Sequence, residues 1–510
     1  MDAKPVSFKI AGRPQGHFPL PLISQFTEDF MRLTAKLLLL LGSVASATAQ
    51  AQISHFKHVV VIFQENRTPD NLFQGLCAAP YGACAVPPTL SAPYDIQTSN
   101  WAAKGAKIQP SAVPLANTYD LSHAHKAFDA MCDVTGNPPR CRMDGAAQIG
   151  CGPVGGTTCP PSPQFKFVDN STGIVNPYLA LATQYGWANY MFQTNQGPSF
   201  PAHQFIFGGT SAPTQLDDAN GIFAAENMTP AGADAGCNAL PTTVVELVSP
   251  NGTPPPYGVE NSSAFPCFEH QTMADLVKDW MYYTGGPDSI WTAPNAINHV
   301  CLPSGGKCTG WGTHVSLNPS NVLTAIGNCN LRGLTWITPT AANSDHAAMN
   351  DGGGPSWVAS IVNAIGNSKC TDTLDKKTFS YWQDTAILIT WDDWGGWYDH
   401  VPPTILAGVQ GDYQYGFRVP LIVVSAYTSR GYVDNGRHDF GSILRFIEHN
   451  FASLGLSEGE LGFADSRAKT DLTAFFHLKH GPRTFTTVAA PLSADFFIND
   501  PRPPEPPDND

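Results

Sequence analysis

The stretch HVVVIFQENRTPDNLF, residues 58–73, decides the fold. Val59-Val60-Val61-Ile62-Phe63 is apolar at every position, so it reads as a strand covered on both faces. At its end the chain turns abruptly polar, to Gln64-Glu65-Asn66-Arg67. A buried strand that delivers a carboxylate and an amide side by side has two readings. The polar residues begin a helix, as Asn and Asp often do, or they hold a metal or phosphate site.

The pattern recurs in TAILITWDDWGGWYDHVPP, residues 385–403. Here an apolar strand ends in Asp392-Asp393. Adjacent carboxylates at a buried strand end repel each other and lose solvation, and a cation is the simplest remedy. The alternative makes them turn formers, with Gly395-Gly396 supplying positive φ. Residues 333–338 and 419–425 are further β-type runs without alternation. Helical patterns cover 176–185, 272–283, 355–365 and 441–451. Thr272 and Asp275 set an N-terminal capping pattern ahead of Leu276, Trp280 and Tyr283. Strands alternating with helices predict an α/β fold with a mostly parallel central sheet and helices on both faces. In such sheets ligands sit at the carboxyl ends of strands. Glu65-Asn66 and Asp392-Asp393 both fall there.

Residues 129–165 and 209–266 are loop-rich insertions, the second containing PNGTPPPYG without clear periodicity. Both are expected to decorate the α/β unit and shape substrate access. The chain holds twelve cysteines, none in a C-x-x-C pair. The spacings Cys77/Cys84, Cys132/Cys141, Cys151/Cys159 and Cys301/Cys308 suit loop disulfides made in an oxidising compartment. The start agrees. Arg32 and Lys36 precede an apolar run at 37–41, and Ala47-Thr48-Ala49 is a small-residue cleavage site. Residues 31–49 thus read as a signal peptide, with 1–30 either an upstream extension from a mis-called start or a genuine N-terminal extension. No other segment is long and apolar enough to span a bilayer. The tail, 498–510, is rich in Pro and Asp and is expected to be disordered. A net charge of −14 argues against nucleic-acid partners.

In TNQGPSFPAHQFIFGGTSA, residues 194–212, Ser199 opens a helix. It is either an N-cap or a nucleophile beside the anion-attracting helix terminus. His203, four residues on, reads as a packed or supporting histidine. His123, His346, His400 and His438 each lie near an aspartate, which orients an imidazole whether its role is structural or catalytic.

Together QENRTPDNLF, GPSFPAHQF, SDHA, WDDWGGWYDHVPP and HDFGSILRFIEHNF resemble, in order and type, the motifs of the bacterial phosphoesterase family. That family includes non-specific phospholipases C and secreted acid phosphatases, within the alkaline phosphatase superfamily. The resemblance implies an alkaline-phosphatase-like phosphoesterase domain over 55–480. It implies one divalent metal held by Glu65, Asn66, Ser199, Asp392 and Asp393. It also implies that His123, His346 and His400 surround the phosphate, with His438 the weakest match. The mainly oxygen donor set favours Ca²⁺, Mg²⁺ or Mn²⁺, with Zn²⁺ or Fe open because histidines are close. The phospholipase C branch usually carries Thr as nucleophile and Asp-Glu before the glycines. Ser199 and Asp392-Asp393 are therefore closer to the acid phosphatase branch. The expectation is an exported phosphoesterase working through a phosphoseryl intermediate on a phosphate ester. The alternatives are a phospholipase C-type phosphodiesterase with transient membrane-surface contact, and a secreted metal-stabilised binding protein without turnover.

Overall fold

A computed structural model describes residues 55–502, apart from 137–139, 153–157, 250–258, 373–375, 408 and 410–412. The expected signal peptide (31–49), the upstream extension (1–30) and residues 503–510 of the expected disordered tail lie outside the described residues.

Eight strands form the central sheet. They are β1 His58–Gln64, β2 Gly186–Phe192, β3 Trp280–Tyr283, β4 Val315–Ser316, β5 Leu334–Ile337, β6 Thr385–Trp391, β7 Leu421–Ser425 and β8 Tyr432–Asp439. Their spatial order is β4-β3-β5-β1-β6-β7-β2-β8. Every neighbouring pair is parallel except those of β7, which runs antiparallel to both β6 and β2. Val59 to Phe63 and Ala386 to Ile389 are fully buried, as runs without a polar face require. Each such Val, Leu or Ile contributes about 1.5–3 kcal/mol of burial. Four helices pair off against this sheet. α1 (Asn176–Gln184) packs beside α3 (Gly354–Gly366), and α2 (Ser199–Gly208) beside α4 (Phe440–Asn450).

One expected helix ends as a strand. The capping box at Thr272 forms, but the helix is a single turn, Met273–Leu276. The chain then enters the sheet as β3. Trp280-Met281-Tyr282-Tyr283 pairs with Leu334 to Ile337, and its bulky, buried aromatics suit a pleated strand better than a helix. The positions of Leu276, Trp280 and Tyr283 mimic helical spacing by coincidence. The second insertion is also more ordered than its sequence indicates. Phe223–Thr229, Val244–Ser249 and Val259–Ala264 form a three-stranded antiparallel sheet. Strand Val244–Ser249 alternates buried and half-buried residues, a short period-two signal hidden by the Pro- and Gly-rich loops around it.

All four close cysteine spacings are disulfides, joined by Cys237–Cys267 and Cys329–Cys370. Among the described residues no helix is long and apolar enough to cross a membrane.

Candidate active site

Strands β1 and β6 pair in parallel with Gln64 opposite Trp391. The Asp392 N–H donates to the Gln64 carbonyl at 3.0 Å, so the ladder continues one step past the strands. This register sets Glu65 and Asp392 side by side, although 327 positions separate them in the chain. Asn66 then turns with φ 60°, and its N–H donates to Asp392 Oδ1 at 3.0 Å. The facing turn needs its glycine. Gly395 has φ 60°, and a Cβ there would lie 2.4 Å from the Asn66 carbonyl oxygen. Asp393 Oδ1 accepts from Gly395 N at 2.7 Å, and its Oδ2 accepts from Ser199 Oγ at 3.4 Å. Ser199 is the first residue of α2 and fully buried.

Four of the expected metal-site residues thus fall on one hydrogen-bonded pair of turns, Glu65-Asn66 and Asp392-Asp393, with Ser199 bonded to it. Burial, with Asp392 beside it, raises the Asp393 pKa well above the usual carboxylate range. His203, read from sequence as a packed histidine, joins them. Its Nε2 lies 3.4 Å from Glu65 Oε1 and 3.8 Å from Asp392 Oδ2. Donor atoms of Glu65, His203 and Asp392 all lie within 4.8 Å of one another, and all three residues are buried. Neither ring nitrogen of His203 nor Asp392 Oδ2 has a hydrogen-bond partner. Burial pushes the imidazole down to about 4 against the pull of Asp392, leaving it neutral, the form that ligates a metal. Separations of this size between buried donor atoms fit a shared cation.

His123 and His346 flank this group. The His123 Nδ1–H donates to Leu121 O at 2.7 Å, so its Nε2 accepts from Asn66 Nδ2 at 3.2 Å. His346 donates through Nδ1 to Ala347 O at 2.7 Å. Their ring centres are 6.0 Å apart. Trp291 continues the wall, 6.3 Å from His346 and 6.4 Å from His203.

Arg67 and Asp345, which sequence reading passed over, hold these loops. The buried Arg67 guanidinium donates to the carbonyls of Asp345 and Leu115 and to the side chains of Asn71 and Asn117. Asp345 accepts from Tyr178 Oη at 2.9 Å and Trp391 Nε1 at 3.0 Å. The available signal was adjacency, since Arg67 follows Glu65-Asn66 and Asp345 precedes His346.

His400 has both ring nitrogens engaged by carboxylates. The resemblance sets it beside the phosphate, but its Nδ1 meets Asp70 Oδ2 at 2.7 Å and its Nε2 meets Asp95 Oδ1 at 3.2 Å. Asp70 and Asp399 in turn bind Arg418. Burial opposes the imidazolium, yet Asp70 and Asp95 outweigh it and raise the pKa to about 10. His438 pairs with Asp434 at 2.9 Å and with Thr470.

The sequence matches the profile of the Phosphoesterase family over residues 56–453. The chain belongs to that family. Among curated proteins, this phosphoesterase is 29% identical to a non-hemolytic phospholipase C of Burkholderia pseudomallei (strain K96243) over 148 residues, 25% of this chain and 20% of that protein. It is 27% identical to phospholipase C A of Mycobacterium tuberculosis over 139 residues, 23% of this chain and 25% of that one. It is 26% identical to non-specific phospholipase C6 of Arabidopsis thaliana over 181 residues, 32% of each. The phosphoesterase chain therefore aligns with a third or less of the length of these relatives. A solved structure titled as a protein in the alkaline phosphatase superfamily from Vibrio parahaemolyticus overlaps 57% of this chain and 64% of its own. At TM-score 0.29 and 11% identity, that overlap carries no weight.

Proposed function

We propose that this phosphoesterase hydrolyses phosphate monoesters through a phosphoseryl intermediate, with Ser199 as nucleophile. One observation carries the reading: Ser199 Oγ is hydrogen-bonded to Asp393, on the same pair of turns that presents Glu65, Asn66 and Asp392. Glu65, Asn66, Asp392, Asp393 and His203 are the residues that would hold a divalent cation. The imidazole among them moves the preference from Ca²⁺ toward Mn²⁺ or Zn²⁺. A bound cation supplies positive charge that lowers the Ser199 hydroxyl pKa and offsets the charge on the phosphoryl oxygens.

Ser199 Oγ forms a bond to phosphorus as the bond to the ester oxygen breaks, and its proton passes to Asp393 Oδ2 in the ionised form of that carboxylate. His346 is assigned to the phosphoryl oxygens and the leaving oxygen, and His123, whose Nε2 accepts from Asn66, to orienting that amide. Water then attacks phosphorus, the P–Oγ bond breaks, inorganic phosphate leaves, and Ser199 Oγ recovers its proton from Asp393. His400, locked between Asp70 and Asp95, is assigned to the structure and not to the reaction.

Ser199 and Asp393 favour the monoesterase. The phospholipase C relatives favour the second reading, a phosphodiesterase that releases a phosphorylated headgroup. Paired disulfides along the chain support export in either case. The test assays p-nitrophenyl phosphate beside phosphatidylcholine at pH 5 and pH 7.5, with Ser199→Ala alongside. The monoesterase reading expects turnover of the first substrate and a loss of several orders of magnitude in the variant. Turnover of phosphatidylcholine alone moves the assignment to the second reading. A Ser199→Ala enzyme at wild-type rate removes the nucleophile.

A further inference from the structure

We infer that Asn227, on the inserted strand Phe223–Thr229, is a phosphate-binding residue whose side-chain NH₂ donates to a phosphoryl oxygen at Ser199. The inference rests on the phosphoesterase reading above. Helix α2 is ten residues long and begins at Ser199, so its first-turn N–H groups and its dipole favour an anion there. Among those groups, Phe200 N donates to Asn227 Oδ1 at 3.0 Å. A backbone N–H only donates, so the amide orientation is fixed: oxygen toward Phe200, nitrogen on the other limb. That nitrogen has no hydrogen-bond partner, although Asn227 is only 4% exposed. A buried donor without an acceptor is costly, and such groups are expected where a ligand completes them.

Two further contacts bind this strand to the reaction centre. The Ala225 carbonyl lies so close to Gly197 that a Cβ there would meet it at 1.9 Å, so the strand presses on the Ser199 turn. Glu226 accepts from His125 N at 3.0 Å, two residues beyond His123. Three consecutive residues of the insertion, Ala225, Glu226 and Asn227, therefore touch both the nucleophile turn and the His123 loop. The inserted sheet is a wall of the site, and Asn227 is its donor.

The test compares Asn227→Ala and Asn227→Asp in the full protein. It measures inorganic phosphate affinity by calorimetry and kcat and KM on p-nitrophenyl phosphate. The aspartate variant keeps the acceptor for Phe200 N and replaces only the donor, adding a charge that repels the anion. Phosphate affinity is expected to fall about tenfold or more in Asn227→Ala, and at least as far in Asn227→Asp. If Asn227→Asp holds phosphate and turns over within twofold of wild type while Ser199→Ala is inactive, Asn227 merely caps the helix and the inference falls alone. If Ser199→Ala keeps wild-type turnover, the reading beneath it falls too. Should Asn227→Ala fail to fold, the capped aspartate variant still decides.

Discussion

Gly395→Ala isolates the closeness of the two turns that present Asn66 and Asp393. The added Cβ would lie 2.4 Å from the Asn66 carbonyl oxygen and 2.6 Å from Asn66 Cβ. An ordinary contact is about 3.5 Å, so one turn must move by about 1 Å. Because Asn66 N is bonded to Asp392 Oδ1 at 3.0 Å, the movement separates groups that hold the same site. A displacement of about 1 Å costs roughly 100-fold in rate. The left-handed backbone adds about 1–2 kcal/mol for any residue with a Cβ. Gly455→Ala is the control. Its φ is 91°, but nothing lies within 4 Å of the added methyl group. Both variants should lose stability, with Gly455→Ala melting about 1–2 °C lower in a chain of this size. Only Gly395→Ala should lose about 100-fold in kcat/KM on p-nitrophenyl phosphate. A folded Gly395→Ala enzyme within about threefold of wild type would refute the coupling between this turn and the chemistry.

Three other outcomes concern stability. His400, with a folded pKa near 10 against an ordinary 6.5, contributes fully below pH 6.5, and its contribution fades as pH rises through about 10. His400→Gln should lower the urea unfolding free energy by about 3 kcal/mol at pH 7, with the gap closing by pH 10; an equal gap at both pH values contradicts the assignment. Burial and then Glu260 push Glu226 up to about 8, so the neutral acid stabilises fully below pH 4.5 and that stability is lost as pH rises through about 8. Glu226→Gln should therefore melt progressively higher relative to wild type across that window, and parallel melting curves would count against it. Removing Cys329–Cys370, with a separation of 41 residues, should cost about 4 kcal/mol in denaturant unfolding, against about 2 kcal/mol for Cys77–Cys84, separated by seven; equal losses would show that loop closure does not govern them.

The central sheet was legible because β1, β5, β6 and β7 are continuous apolar runs, a pattern few other structures tolerate. β3 was not, because aromatic residues at helical spacing followed a genuine capping box, and only pairing with β5 decides such a case. β2 and β8 were missed as well. Gly186–Phe192 carries Asn189 within its run, and Tyr432–Asp439 mixes charged and apolar residues. In the site, Glu65, Asn66, Asp392 and Asp393 announced themselves as polar residues at the ends of apolar strands. His203 did not, because a lone histidine in an apolar helix looks like core until its neighbours across space are known. His400 illustrates the reverse. The resemblance sets it at the phosphate, and its sequence neighbour Asp399 gives no hint of its carboxylate partners, Asp70 and Asp95, some 300 positions away.

The pairing of Gln64 with Trp391 also sets a timetable. Half of the acidic grouping is made when little of the protein exists, and the other half arrives only after most of the chain has been made. Loops such as 77–84 can be stapled on the spot, whereas the reactive centre must wait until distant ends of the chain have met. A truncated or still-emerging product carries Glu65, Asn66 and Ser199 without Asp392 and Asp393.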